Sequence, residues 1–425
     1  MIIFSYRSNR VGYIFVQCCF SVFVISTVPV AGDETTNNAN SSSFSISGRI
    51  VTSLKLENSS VYDFKDSENN TFSVAATLKA KSPSDKLFGL GLELASWTDF
   101  GLGIADSPRV SQAITPNLSG RWRKMSDFEI SQAFLRYSPE YGVFKVGRQA
   151  VMAKRSPWIF SDRSAGVVDI SYDMVSFSKV DSDGTSFGAA WFSSAVNIDT
   201  HIRFGESSKG IFMLSFAKNT PETIRYSLYC YYYPDRRYKT IAPWSKLKSD
   251  DIWSIWATIH KDMGNIPVGL QLVYVDGENS LAKETLGLSA KVYLSYGEHD
   301  FTVTGSYLNG GDYSLRTAGM RVGSSSFWGK SLSGEFGADT MGVDQIVFRI
   351  DYNYERGPGR LYGGLAGIDY GFGTTQDKAF AYQIGYAYSF GNFFIKTEYR
   401  HKNTILNIPQ CIKRDRIRFD MVYNF

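Results

Sequence analysis

The sequence predicts an all-β transmembrane barrel, an up-and-down antiparallel sheet closed on itself, and three observations carry that expectation. Segments of about ten residues alternate apolar and polar side chains along the chain. The connections between them alternate short and long. The chain also ends on such a segment, RDRIRFDMVYNF, where Ile417, Phe419, Met421, Tyr423 and Phe425 interleave with Arg416, Arg418, Asp420, Val422 and Asn424. A two-residue period gives a strand one apolar face and one largely charged face. Such a strand needs hydrocarbon on one side and water on the other.

Composition excludes the helical alternative. Each helical span needs about 20 consecutive apolar residues, and no stretch after Gly32 supplies them. The formal charge of +4 is too slight to argue for nucleic acid as a partner.

The start reads as an export signal. Arg7 and Arg10 precede an apolar run over 11–30, and Val30-Ala31-Gly32 offers small residues for cleavage after Gly32. The expected organisation is a signal peptide over 1–32, a polar lead-in over 33–42 and a barrel over 43–425. A membrane-anchoring helix is the alternative for the first segment. Cleavage removes two of the 45 Lys and Arg, leaving 43 against 41 Asp and Glu, a mature charge of +2. It also removes Cys18 and Cys19. Cys230 and Cys411 remain, too few for a disulfide framework and without metal-type spacing.

From the first strand, over 43–56, the connections follow in order. A long one at 57–69 precedes a short one at 82–86. Then come long 98–126, short 138–142, long 149–165, short 181–184, long 195–208, short 218–222, long 234–249 and short 261–265. Long 277–284, short 297–300, long 309–342, short 355–358, long 371–377, short 389–392 and long 403–413 complete the series before the last strand. This is 18 strands, with 16 as the alternative count, and both termini lie on the short-turn side. An even count with alternating turns fits a closed barrel, which leaves no unpaired sheet edge in lipid. Short turns then face the periplasm and long loops the exterior.

Placing the apolar face on lipid assigns the interior. Arg416, Arg418 and Asp420 point inward on the last strand; Lys396, Glu398 and Arg400 do so on the strand before it. Arg49 and Lys55 do so on the first strand, so one mostly basic wall is expected. On strand six, Val168, Ile170, Tyr172 and Met174 are expected outward, with Asp169 and Asp173 inward; strand fourteen adds inward Arg349 and Asp351. Tyr226, Tyr229, Tyr231, Tyr232 and Tyr233, with Tyr352 and Tyr354, read as interfacial girdles.

The third long connection holds Lys154, Arg155, Asp162 and Arg163 around an apolar centre, Trp158-Ile159-Phe160. Three adjacent bulky apolar residues in a loop imply that it packs against something. Here the chain resembles a family. SQAFLRYSPEYGVFKVGRQ, residues 131–149, followed by a Pro- and Trp-containing loop, is similar to the Opr-type and major-outer-membrane-protein porins of Gram-negative bacteria. The resemblance implies that residues of about 150–165 fold into the lumen as a constriction. It also implies that the terminal aromatic is read by the outer-membrane assembly machinery and that barrels trimerise. This loop departs from the pattern in being rich in basic residues, which argues against a cation preference like that of general porins.

The expected function is a passive diffusion channel for small hydrophilic solutes and ions in the outer membrane, without cofactor or metal. Lys154, Arg155, Arg163, Arg416, Arg418 and Arg49 outnumber Asp162, Asp169 and Asp173, so weak anion preference or little selectivity is expected. A substrate-specific channel and a surface adhesin barrel are the alternatives, distinguished by saturable current and by absence of conductance. Catalysis has little support: His201, His260, His299 and His401 are scattered and form no local triad or metal-spaced group.

Overall fold

The computed structural model of the protein describes residues 44–60, 67–68, 71–83, 85–98, 126–151, 156–159, 171–197, 202–203, 209–219, 224–238, 248–264, 266–278, 283–309, 311, 327–328, 344–370, 377–405 and 411–425. The expected signal peptide and lead-in, together with Lys154, Arg155, Asp162, Arg163, Asp169, Val168 and Ile170, lie outside the described residues. Chain contacts define two units. Asn40–Asn424 holds every strand; of the other, Met1–Ala39 with Phe425, only Phe425 is described.

Eighteen long strands run in chain order as β1 (Ser45–Ser60), β2 (Thr71–Lys81), β3 (Phe88–Thr98), β4 (Ser126–Tyr137), β5 (Val143–Gln149) and β6 (Ser171–Val180). They continue as β7 (Thr185–Asn197), β8 (Ile211–Lys218), β9 (Arg225–Tyr238), β10 (Lys248–Met263), β11 (Ile266–Gly277) and β12 (Thr285–Tyr296). The last six are β13 (His299–Leu308), β14 (Gln345–Arg356), β15 (Gly359–Tyr370), β16 (Asp377–Phe390), β17 (Phe393–Ile405) and β18 (Cys411–Asn424). Two further two-residue strands, Ser67–Glu68 and Ile202–Arg203, pair with the upper ends of β1 and β7. The described residues contain no helix.

Each strand pairs antiparallel with its neighbours in sequence, and β18 pairs with β1 from Arg49↔Asn424 to Ser60↔Lys413, which closes the barrel. The expected count of 18 holds, and both ends of the sheet lie on the short-turn side. Those turns are tight because glycine opens them. Gly297 and Gly391 begin two-residue links between paired strands with φ of 60° and 53°, a region that other residues adopt only at a cost.

The outer face carries the apolar half of the period. Leu365, Leu270, Phe348 and Ile384 are each more than half exposed, an arrangement stable only against hydrocarbon. Aromatic rings line the short-turn margin, with Phe88 on Tyr137 at 4.9 Å, Phe144 on Phe177 at 4.7 Å and Phe301 on Tyr352 at 5.0 Å. Tyr232 stacked on Trp253 at 4.2 Å marks the opposite margin. Rings at the two ends of the strands form the interfacial girdles of a membrane barrel.

The tyrosine cluster on β9 divides between the two faces. Tyr226 and Tyr232 belong to the outer face, but Tyr229, Tyr231 and Tyr233 are buried in the principal apolar cluster of the molecule. A sheet one layer thick buries a side chain fully only on the face that its loops cover. That cluster therefore lies inside the barrel.

Candidate functional site

The interior is best built from β5, after whose last residue, Gln149, the chain leaves the wall. Ser156, Trp158 and Ile159 are 0% exposed. Trp158 meets Tyr231 of β9 edge-on at 5.4 Å, and Ser156 Oγ and the Tyr231 hydroxyl lie 3.0 Å apart. The Trp158 amide donates to the same hydroxyl at 3.4 Å. Around the dipeptide stand Tyr172 and Met174 of β6, Phe192 of β7, Ile211 and Met213 of β8 and Trp256 of β10. Full burial of a large apolar side chain contributes about 1.5–3 kcal/mol, so Trp158 and Ile159 hold this connection against the inner wall.

That packing corrects strand six. Tyr172 and Met174, expected on lipid, face inward beneath the loop. Asp173, expected in the lumen, lies on the opposite face. Its Oδ1 is 2.9 Å from Arg148 Nε, and Ser194 Oγ donates to Oδ2 at 2.6 Å. The physical reason is coverage: a wall roofed by an apolar loop is itself apolar, so the greasy half of the period marks the inside there. A bulge between Asp173 and Met174 accompanies the switch.

The seventh long connection, between β13 and β14, contributes a second dipeptide that the sequence reading missed. Phe327 is buried in the same cluster. It lies over Gly287, where an added Cβ would come within 2.9 Å of its ring. Trp328 lies over Gly269, between the His260 ring at 5.2 Å and Lys291 Nζ at 4.6 Å. Its amide donates to Gln271 Oε1 at 2.8 Å. A signal was present: Phe327-Trp328 is a bulky pair in a Gly- and Ser-rich stretch, the criterion that singled out Trp158-Ile159.

Across the lumen stands the predicted basic wall. Register places Lys396, Asp420 and Ser53 in one row of β17, β18 and β1, and Glu398 beside Arg418 in the next. Arg400 and Arg416 face each other above these, and Arg49 pairs with Asn424. Lys402, not singled out from the sequence, shares this face and is buried. On these three strands six inward cations whose side chains are described (Arg49, Lys396, Arg400, Lys402, Arg416, Arg418) face two carboxylates (Glu398, Asp420).

Both carboxylates are held firmly. Glu398, 4% exposed, sits against Arg400, has Lys396 Nζ at 3.3 Å and accepts from the Tyr362 hydroxyl at 2.9 Å. Gly385 makes room for that tyrosine, since an added Cβ would lie 2.2 Å from the ring. Asp420 accepts from Arg418 Nε at 2.8 Å and Ser53 Oγ at 2.6 Å. Arg349 pairs with Asp351 on β14 at 2.7 Å. Charges at this depth are tolerable because they face the interior; on lipid each Arg or Lys near the midplane costs about 2–4 kcal/mol.

A closed barrel with a lipid-compatible exterior, a charged interior and loop segments folded inward is an outer-membrane channel for small solutes. The chain belongs to the Gram-negative porin family, whose model matches residues 26–416. Among solved structures it is similar to Pseudomonas aeruginosa OpdO (TM-score 0.63, 11% identity, covering 89% of this chain and 97% of that one). It is likewise similar to Pseudomonas aeruginosa OpdK solved with vanillate (0.63, 11%, 89% and 99%) and to Acinetobacter baumannii OccAB2 (0.63, 14%, 89% and 98%). No curated protein matches the chain in sequence. The family is one of channels, and its members reside in the outer membrane among lipid.

Proposed function

We propose that this channel is a passive pore with weak anion preference, narrowed by the connection over about 150–165. The observation that supports it most is the imbalance among the described side chains of β17, β18 and β1, six inward cations to two carboxylates, together with the position of Asp173 off the lumen. Fixed charge on the wall of a constriction sets a field across the pore, so passage depends on size and charge and not on bond-making. The buried Trp158 and Ile159 support the constriction; Lys154, Arg155, Asp162, Arg163 and Asp169 would add charge to it. Arg49, Arg349, Lys396, Arg400, Arg416 and Arg418 line the passage in this reading.

Reversal potentials in planar bilayers under a KCl gradient test it. Chloride moderately favoured over potassium is expected, and a strong cation preference would sink the reading. Export by a signal peptide over 1–32, recognition of the aromatic end by the assembly machinery and trimer formation complete the proposal. The mature protein should begin at Asp33 by amino-terminal sequencing, and its native mass should be three times that of the chain.

A further inference from the structure

The lumen between the Trp158 dipeptide and the short turns holds a cavity of about 1010 Å³ with two unlike walls. Lys79, Lys81 and Lys145 stand on β2 and β5. Facing them, β6 to β10 present Ser176, Ser178, Ser186, Ser215, Ser227 and Thr258.

These hydroxyls fall into register. Ser178, Gly188 and Ser215 share one row of the sheet; Ser186, Ala217, Ser227 and Thr258 share the next. Same-face rows along a strand are about 7 Å apart. Ser176 stands one row higher, with Ala190 and Met213, while Tyr229 and Trp256 continue the row of Ser178 and Ser215, so the hydroxyls span three rows bounded above by Met174 and Phe192. Gly188 leaves the notch that the Ser215 hydroxyl fills, since an added Cβ would come within 2.4 Å of that oxygen. Ser227 Oγ and Thr258 Oγ1 bond each other at 2.5 Å, yet each hydroxyl offers one donor and two acceptor positions and keeps capacity for a guest. Arg225 lies two residues from Ser227 on the same face.

The carboxylate in this cavity is already engaged. Glu93 accepts from Lys79 Nζ at 2.8 Å, Gln132 Nε2 at 2.8 Å and Ser131 Oγ at 2.9 Å. The remaining character is cationic, from Lys81 and Lys145 on one side and from Lys179, Lys218 and Arg225 at the short-turn end of the other, with the serine and threonine hydroxyls on β6 to β10. A simple alkyl carboxylate matches only the lysines. A neutral polyol matches only the serines.

We propose that this level of the channel is a binding site for a polyhydroxylated monoanion, a sugar acid, whose carboxylate faces the lysines while its hydroxyls bond the serine rows. The proposal rests on the anion-preferring reading above and adds the class of solute.

The test uses the full-length protein in planar bilayers, with potassium gluconate, potassium hexanoate or sorbitol added to one compartment and single-channel current as the readout. Gluconate should block saturably and at the lowest concentration. Replacing Ser186, Ser215 and Ser227 together by Ala should raise its half-blocking concentration about tenfold, the loss of one or two net hydrogen bonds; the hexanoate response should move far less. Equal block by gluconate and hexanoate in the unaltered channel overturns the proposal, as does a gluconate block that the triple substitution leaves in place. Should that variant not assemble, the comparison in the unaltered channel still decides, and Lys145→Gln must weaken the gluconate block. A cation-selective reversal potential strikes the underlying anion reading instead.

Discussion

The inner faces of β17, β18 and β1 and of β6 to β10 come from strands with the same two-residue period, yet they present opposite chemistry. The first shows Arg, Lys and two held carboxylates. The second shows Tyr, Met, Phe and Trp above a level of serines. The difference is what covers them. Where the lumen is open the inward half of the period must be polar, and where an inserted loop roofs the wall it must be apolar, because buried polar groups without partners are costly. Alternation identifies two faces; the environment of each decides which one is inside.

The sharpest way to break this contrast is at the roof. Trp158→Ala removes a fully buried ring and should weaken the loop's docking by about 3–5 kcal/mol. Single-channel conductance should then rise, and protease should cut within 150–165. The same change at Trp253, 53% exposed on the outer face, should leave conductance where it was. Equal behaviour of the two variants would mean that the loop does not narrow the pore.

The corrected face of β6 gives the next test. Asp173→Asn takes the carboxylate from Arg148 and should lower stability by about 1–3 kcal/mol, read as the urea midpoint in detergent micelles. Ion selectivity should not move, because the pair lies off the lumen. A shift in reversal potential would return Asp173 to the pore.

On the basic wall the expected effect is smaller. Two unit charges about 4 Å apart in water interact by about 1 kcal/mol, roughly fivefold in local ion concentration. Arg400→Gln with Arg416→Gln should therefore lower the chloride-to-potassium permeability ratio by up to about fivefold. An unchanged ratio would show that these two arginines, opposed in register, do not set the field.

The smallest effect lies outside the membrane, in the turn between β6 and β7. The Asp183 carboxylate accepts from the Thr185 amide and hydroxyl, each at 2.9 Å, and has Lys218 Nζ at 3.6 Å. The amide of Thr185 and then its hydroxyl hold the carboxyl below its ordinary 3.8. A depressed folded value means stability present above the unfolded pKa and lost as pH falls through the folded one. Asp183→Ala should thus remove a slight loss of stability below about pH 4, seen in urea midpoints at pH 3 and pH 6.

Much of this architecture was legible because period and turn chemistry are local. The eighteen strands, the tight turns at Gly297 and Gly391 and the inward set Arg49, Lys396, Arg400, Arg416 and Arg418 follow from residues two apart and from the closing pair β1–β18. Trp158-Ile159 was also visible as an apolar pair with no reason to sit in water. Lys402 falls at the end of the strand that the sequence pattern predicts, whereas pairing continues to Ile405↔Cys411. Phe327-Trp328 was hidden in a long Gly- and Ser-rich connection, and the receiving surface at Gly269 and Gly287 lies some forty to sixty residues upstream.

By itself, then, the sequence determined that the chain would be a closed antiparallel barrel with one oily exterior and one charged wall, since each strand records its own two faces. Only the tertiary structure decided which wall is dry. The faces of Tyr172, Asp173 and Met174 depend on where Trp158 comes to rest, on a strand pair more than fifty residues away. A two-residue period contains no information about which wall an inward-packed segment will cover.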